Sequence, residues 1–190
     1  MVRIFLSVII LCVLSIFVFK LNALAEEIHF ANNIYVLKYS AVSPITKGYE
    51  NEYFLKNETK KDFTKMIVVY HYPNIDKPLK YAQDVSKKVE SEETDILLKL
   101  VQNKKEDKAA FSYLENGSIN GKKYFEYNIF KFEKHPTKGM RALRYAVRYF
   151  FLNDEDIAKI GNNIREHNDE YLQQIISSPM PQIVEKEVNK

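Results

Sequence analysis

The stretch that most constrains the fold runs from residue 122 to residue 152 and has the pattern of two long strands joined by a turn. In its second half the side chains alternate in character, so that one face carries Leu143, Tyr145, Val147, Tyr149 and Phe151. A repeat of two is typical of a strand with one buried face. The sequence therefore predicts strands over residues 124–132 and 141–152, with the other segments arranged around this pair.

The charges of these two strands suggest how they align. Glu126 and Arg148 would attract each other at opposite positions of an antiparallel pair. The same register matches buried residues with buried residues, because it places Tyr127 beside Val147 and Ile129 beside Tyr145.

The N-terminal segment, residues 1–25, has the three parts of a secretory signal peptide. Arg3 gives a basic start, an apolar run covers residues 4–19, and Ala23 and Ala25 form a small-x-small cleavage site. We therefore expect cleavage after Ala25. An uncleaved membrane anchor is the alternative, although the apolar run is shorter than the ~20 residues that a spanning helix needs.

Removal of the signal peptide changes the composition of the chain. The 28 basic residues fall to 26 against 25 acidic ones, so the formal charge falls from +3 to about +1. A near-neutral domain offers no basic surface to nucleic acid. The only cysteine, Cys12, also leaves, and a cysteine-free exported domain favours a bacterial envelope, with the periplasm as its compartment. Membrane contact is expected only through the signal segment, if that segment is retained.

Before residue 95 the pattern changes once from strand to helix. Period-two runs predict three strands, over residues 34–42, 49–56 and 63–72. A helix should follow, capped by Asp76 and carrying Pro78 in its first turn.

After residue 95 the sequence predicts a hairpin and a long helix. Residues 96–103 and 108–115 are interpreted as the hairpin, while their Leu, Lys and Ala content leaves a continuous helix open. The last helix is predicted to begin after Asn153 or Asp154. Gly161 lies inside that helix, where glycine is unfavourable, and this suggests close packing against the sheet.

This order of elements predicts an α+β fold. We expect a largely antiparallel sheet of about seven strands, in the order βββ-α-ββββ-α, covered by helices. The order is similar to that of PsbP-like domains of exported proteins, a resemblance of topology that implies no site residue. Residues 26–177 are expected to form a single domain, and residues 178–190 a mobile tail.

Few residues have the character of a catalytic or ligand-binding site. The sequence has no nucleotide-binding, metalloprotease or serine-hydrolase motif, so we expect neither a metal nor a cofactor. His71 is the best candidate among the histidines, because it lies between Tyr70 and Tyr72 at the end of a buried strand, where pockets often open. A structural, hydrogen-bonded His71 is the simpler interpretation.

Two charged pairs are the remaining candidates. Glu50 and Glu52 would share one strand face about 6–7 Å apart, the arrangement of an acid/base pair or of an ordinary exposed face. Arg144 and Arg148 would share a face about 13 Å apart and could bind an anion, although a salt-bridged sheet face explains them more simply.

These observations lead to two hypotheses of function. The first is an exported, periplasmic, non-catalytic protein that binds an envelope protein or a small ligand. The second is an envelope hydrolase with a site assembled from Glu50, Glu52 and His71. The absence of a nucleophile or metal motif favours the first. The second requires that these three side chains converge on one concave site.

Overall fold

The fold is built on one sheet. We describe a computed structural model that covers residues 26–93 and 95–189, so the predicted signal peptide lies outside the described residues. Within these residues nine strands form the sheet: β1 (Glu27–Phe30), β2 (Asn33–Val42), β3 (Tyr49–Leu55), β4 (Lys65–Tyr72), β5 (Asp95–Asn103), β6 (Lys108–Ile119), β7 (Lys122–Lys134), β8 (Met140–Phe150) and β9 (Val188–Asn189). Two helices accompany it: α1 (Pro78–Ser91) and α2 (Asp154–Ser177).

The strands run antiparallel in the order β1-β2-β3-β4-β8-β7-β6-β5, and β9 pairs with β2. This confirms the predicted α+β class and its antiparallel sheet. The short strands β1 and β9 are additions to the predicted set. The hairpin interpretation of residues 96–115 is also confirmed, since β5 pairs with β6. Consecutive buried residues explain why a strand forms there: Ala109, Ala110 and Phe111 lie between the two covered faces of the sheet.

The predicted register of the central pair is confirmed. Glu126 on β7 lies opposite Arg148 on β8, and the apolar partners follow: Tyr127 lies opposite Val147, and Ile129 opposite Tyr145.

The two faces of the sheet carry separate cores. One core, on the α2 face, contains Tyr127, Ile129 and Tyr145 together with Ile164 and Ile175 of α2. The other core, on the α1 face, is built from residues that alternate with these along the strands, and it includes Phe111, Phe132, Ala142 and the helix residues Ala82 and Val89. The helices therefore cover opposite faces of the sheet.

Of the two helix caps that the sequence predicted, one is confirmed and one is wrong. Asn153 caps α2, because its side-chain oxygen accepts a hydrogen bond from the backbone N–H of Asp156 at 3.0 Å. The predicted cap of α1 is wrong: Lys77, not Asp76, occupies the cap position, and it forms no side-chain cap bond. The interpretation of Gly161 is also wrong, since a Cβ at this position would have no atom within 4 Å.

Residues within 178–189 contact the sheet, while the mobile tail expected over residues 178–190 stays a prediction. The backbone N–H of Val184 donates to the side-chain oxygen of Asn51 at 2.7 Å. Its carbonyl accepts from Asn51 Nδ2 and from Ser40 Oγ, both at 3.0 Å. Val184 itself is buried, and β9 continues along β2. The partners in β2 and β3 are more than a hundred residues away, so local sequence does not reveal them.

Candidate functional site

The predicted carboxylates lie on the α1 face of β3, beside β4. Glu50 is opposite Tyr70, and Glu52 is opposite Val68. Helix α1 packs against β5, β6 and β7, so neither helix of residues 26–93 and 95–189 packs over this part of the face. Both carboxylates share one strand face, as the sequence predicted, but the interpretation of an ordinary exposed face is wrong for Glu52, which is buried.

The two carboxylates have different surroundings. Glu52 is 2% exposed, and its Oε1 accepts a hydrogen bond from Lys60 Nζ at 2.6 Å. Its Oε2 is buried and has no hydrogen-bond partner among the described residues. Burial raises the pKa of Glu50 above its usual value, and the negative charge of Glu52 raises it further, while the ammonium of Lys60 opposes both effects.

The two arginines share one counter-charge, the carboxylate of Glu126. Arg144 donates to Glu126 Oε1 and, at 2.8 Å, to Asn128 Oδ1. Arg148 donates from Nε to Glu126 Oε2 at 2.7 Å, and its guanidinium lies 3.6 Å from the ring centre of Phe63. Both guanidinium groups are therefore held within the protein, as the simpler interpretation of this pair expected.

Tyr70 and Tyr72 share the α1 face with the carboxylates but belong to aromatic packing. The ring of Tyr70 stacks on Phe130 with centres 6.2 Å apart, and the ring of Tyr72 lies 5.3 Å from that of Tyr81 on α1. Tyr72 belongs to the α1-face core, and burial raises the pKa of both tyrosine hydroxyls. Their hydroxyls therefore remain protonated at neutral pH.

His71 lies on the opposite face from these tyrosines, because side chains alternate along β4. Its Nε2 is 3.1 Å from the carbonyl oxygen of Lys138, and its ring stacks on His135 with centres 4.4 Å apart. Burial lowers the pKa of His135, and the nearby His71 and Arg141 lower it further. His71 therefore does not converge with Glu50 and Glu52, and the hydrolase site is not assembled.

A cavity of about 290 Å³ opens on the α2 face at the sheet's β1 side. Its floor consists of the buried side chains of Tyr53, Ile67 and Leu143. Strand β1 forms one wall, and residues 178–182 form the other. The lining is mostly apolar, as in many small-molecule sites.

Polar groups mark the rim of this cavity. Glu27 and His29 belong to its lining and are both exposed, with His29 Nε2 3.9 Å from a Glu27 carboxylate oxygen. Gln182 is a further polar residue of the lining. The arrangement suits a small molecule with an apolar body and a polar end. Sequence reasoning missed these residues because they come from five distant segments and carry no motif.

Two further kinds of feature are absent from residues 26–93 and 95–189. No group of three or more His, Cys, Asp or Glu side chains there could hold a metal ion. No helix in this part of the chain is long and apolar enough to span a membrane.

Comparison with known proteins identifies a family. A model of an uncharacterised protein family matches residues 23–180, which include both helices and strands β1 to β8. Comparison with curated proteins and with solved structures gives no significant match. The resemblance to PsbP-like domains therefore stays a prediction.

Proposed function

The chain belongs to the family whose model matches residues 23–180, and from this premise we propose that it is an exported, non-catalytic protein that binds a small, mainly apolar ligand in the cavity beside β1. The matched segment includes the lining residues from Glu27 to Met180. Only Pro181 and Gln182 of the lining lie beyond it. Ten of the twelve lining residues thus lie within the matched segment.

The cavity carries this proposal. Its volume of about 290 Å³ lies at the lower end of the ~300–1,000 Å³ that is typical of ligand pockets, so the ligand is small. Its floor is already part of the α2-face core, which means that Tyr53, Ile67 and Leu143 are fixed before a ligand arrives. A pre-formed apolar site needs little rearrangement to bind.

Residues 178–182 hold one wall of the cavity in place. Lys131 Nζ donates to the Ser178 carbonyl at 2.6 Å, and Asn51 holds Val184 further along the segment. The wall is therefore fixed at both ends. A ligand that fits under it would be enclosed between β1 and this segment, which shields the apolar body of the ligand from water.

Export to the periplasm remains part of the proposal. It depends on the signal peptide predicted over residues 1–25 and on the absence of cysteine from residues 26–190. The hydrolase hypothesis receives no support from the site geometry, because His71 lies on the opposite face from Glu50 and Glu52. An envelope protein as the partner is the alternative outcome of the test below.

The experiment is a titration of the mature protein with the apolar dye N-phenyl-1-naphthylamine. Ile28 lines the cavity from β1, so Ile28→Trp would fill part of its volume. Ile34 lies on the next strand, is half exposed, and is not part of this lining, so Ile34→Trp is the matched control. The natural chain has no tryptophan, and each variant adds the same single indole.

We expect the wild type and Ile34→Trp to bind the dye equally, while Ile28→Trp loses at least tenfold in affinity with an unchanged far-UV spectrum. Equal dye binding by all three proteins would overturn the proposal. Capture of a specific envelope protein with no dye binding would replace the small ligand with a protein partner.

A further inference from the structure

The loop between β3 and β4, residues 56–64, combines one buried anchor with one exposed lysine. Phe63 is buried, and its ring lies 5.8 Å from that of Phe54. A tight turn precedes it, in which Thr59 N–H and Oγ1 both donate to Asp62 Oδ1, at 2.8 and 2.6 Å. Lys60 lies in this turn, and 68% of its side chain is exposed. Its side chain can therefore move without disturbing the anchor.

The ammonium of Lys60 forms an ion pair with a buried carboxylate. The side chain of Glu52 is only 3% exposed and receives Lys60 Nζ on Oε1 at 2.6 Å. The other carboxylate oxygen, Oε2, is buried and has no hydrogen-bond partner in the described part of the chain. The same ammonium lies 5.2 Å from the ring centre of Tyr39, within the range of a cation–π contact.

A second carboxylate, Glu50, lies beside Glu52. The two negative charges together exceed the single positive charge of Lys60. Glu50 is two residues from Glu52 on the same strand face, and each of these charges interacts with Lys60. Arg144 lowers the pKa of Glu50 less than Lys60 does, and its guanidinium is bonded to Glu126 and Asn128. Two carboxylates thus face one ammonium, and one of their oxygens remains unmatched.

We propose that Glu52, Glu50 and Tyr39 form a binding site for a primary alkylammonium group, which the side chain of Lys60 occupies in the free protein. The side chain of Lys60 is 68% exposed, so it can leave the carboxylate and be hydrated by solvent when another cation takes its place. A buried carboxylate without a cation costs several kcal/mol, so Glu52 needs an occupant. A ligand ammonium satisfies both conditions by replacing Lys60.

The ligand chemistry follows from the acceptors. A primary ammonium has three N–H donors, enough for both oxygens of Glu52 and one oxygen of Glu50. A quaternary ammonium has no N–H donor, so it keeps its charge and the contact with the ring of Tyr39 but cannot hydrogen-bond to the carboxylate oxygens. The alkylammonium could belong to a lysine side chain of a peptide or to a free diamine.

This site is separate from the cavity proposed above. Glu52 lies on the α1 face, whereas Tyr53 and Ile67 of the cavity floor lie on the α2 face. The result of either experiment is therefore independent of the other.

The test is chemical rescue of Lys60→Ala, with Lys61→Ala as the matched control, because Lys61 is exposed, adjacent and in no ion pair within residues 26–93 and 95–189. Lys60→Ala should lower the Tm, and n-butylammonium chloride should restore it. Tetramethylammonium chloride at the same concentration should not. Titration by NMR should show a Kd for n-butylammonium about tenfold lower in Lys60→Ala than in the wild type, the gain expected if Lys60 occupies the site about nine-tenths of the time.

The double variant Lys60→Ala/Glu52→Gln should bind n-butylammonium no better than the wild type. Equal effects of n-butylammonium and tetramethylammonium, or equal rescue of the double variant, would overturn the proposal. If the double variant does not fold, the wild type and Lys60→Ala still decide the matter, since equal Kd values would contradict displacement of Lys60. Tighter binding of 1,5-diaminopentane than of Nα-acetyl-lysine methylamide identifies a free diamine, and the reverse identifies a peptide lysine.

Discussion

Arg148 on β8 donates a hydrogen bond from Nε to Oε2 of Glu126, its opposite residue on β7, across 2.7 Å. The side chain of Glu126 is 5% exposed, and its other oxygen accepts from Arg144. One buried carboxylate therefore serves two guanidinium groups at the centre of the sheet. A buried ionic group of this kind is costly to break, because the remaining partners stay charged.

We predict that Glu126→Ala destabilises the fold by about 3–5 kcal/mol, because it strands Arg144 and Arg148 without a counter-charge. Urea unfolding of the mature protein measures this loss. The matched control is Glu155→Ala at the start of α2, where the carboxylate is exposed and pairs with Lys159. The control should change stability by less than about 0.5 kcal/mol. Similar losses in both variants would contradict the account of this cluster.

A substitution of Gly161 is expected to stabilise the protein, in contrast to Glu126→Ala. It lies inside α2 with open space where a Cβ would be, so Gly161→Ala should stabilise the protein by about 1 kcal/mol. Gly139 is the matched control: its φ is +77°, and a Cβ there would collide with the carbonyl oxygen of Tyr72. Thermal unfolding should show a higher Tm for Gly161→Ala and a lower Tm for Gly139→Ala. A lower Tm in both would indicate hidden packing at Gly161.

The raised pKa of Glu50 predicts a pH dependence of stability. Because burial and Glu52 raise this pKa above 4.5, the folded state binds the proton more tightly than the unfolded state. The contribution of Glu50 is therefore favourable below about pH 4.5 and is lost as the pH rises through the folded-state pKa. Glu50→Gln cannot ionise, so its Tm relative to the wild type should rise between about pH 4 and about pH 7.5. A constant Tm difference, or a falling one, would contradict this prediction.

Asn51 tests the anchoring of the C-terminal segment. Its amide exchanges two hydrogen bonds with the backbone of Val184 and donates a third to Ser40 Oγ at 2.8 Å. Asn51→Ala should cost about 1–3 kcal/mol, since it leaves the backbone N–H of buried Val184 unpaired, while Ser40 Oγ still donates to the Val184 carbonyl. Limited proteolysis should also cut after residue 178 faster in this variant. The exposed Asn57→Ala is the control and should change neither stability nor cleavage rate.

The sequence predicted most where short-range pattern and charge agree. Alternation along residues 141–152 and attraction between Glu126 and Arg148 led to the correct register, because the pairing satisfies both requirements at once. The same pattern does not show whether the side chain of Arg148 is covered. The structure places Arg148 against Phe63 and Glu126, contacts that a period-two pattern cannot distinguish from exposure.

The sequence predicted least where distant segments meet. The cavity requires Tyr53, Ile67 and Leu143 to lie under residues 178–182, and nothing local to any of these positions indicates it. For His71, the sequence predicted the position in the strand but not the contacts of the side chain. Its place at a strand end was predicted, but its contact with His135 depends on the turn between β7 and β8.

Native mass spectrometry of the protein purified from the envelope of its own cells tests the central claim most directly. The account predicts that the wild type carries a small molecule which is released on denaturation. It also predicts that Ile34→Trp retains this molecule and that Ile28→Trp, with the cavity beside β1 partly filled, loses it. A wild-type protein that carries no small molecule, or an Ile28→Trp variant that carries as much as the wild type, would contradict the account.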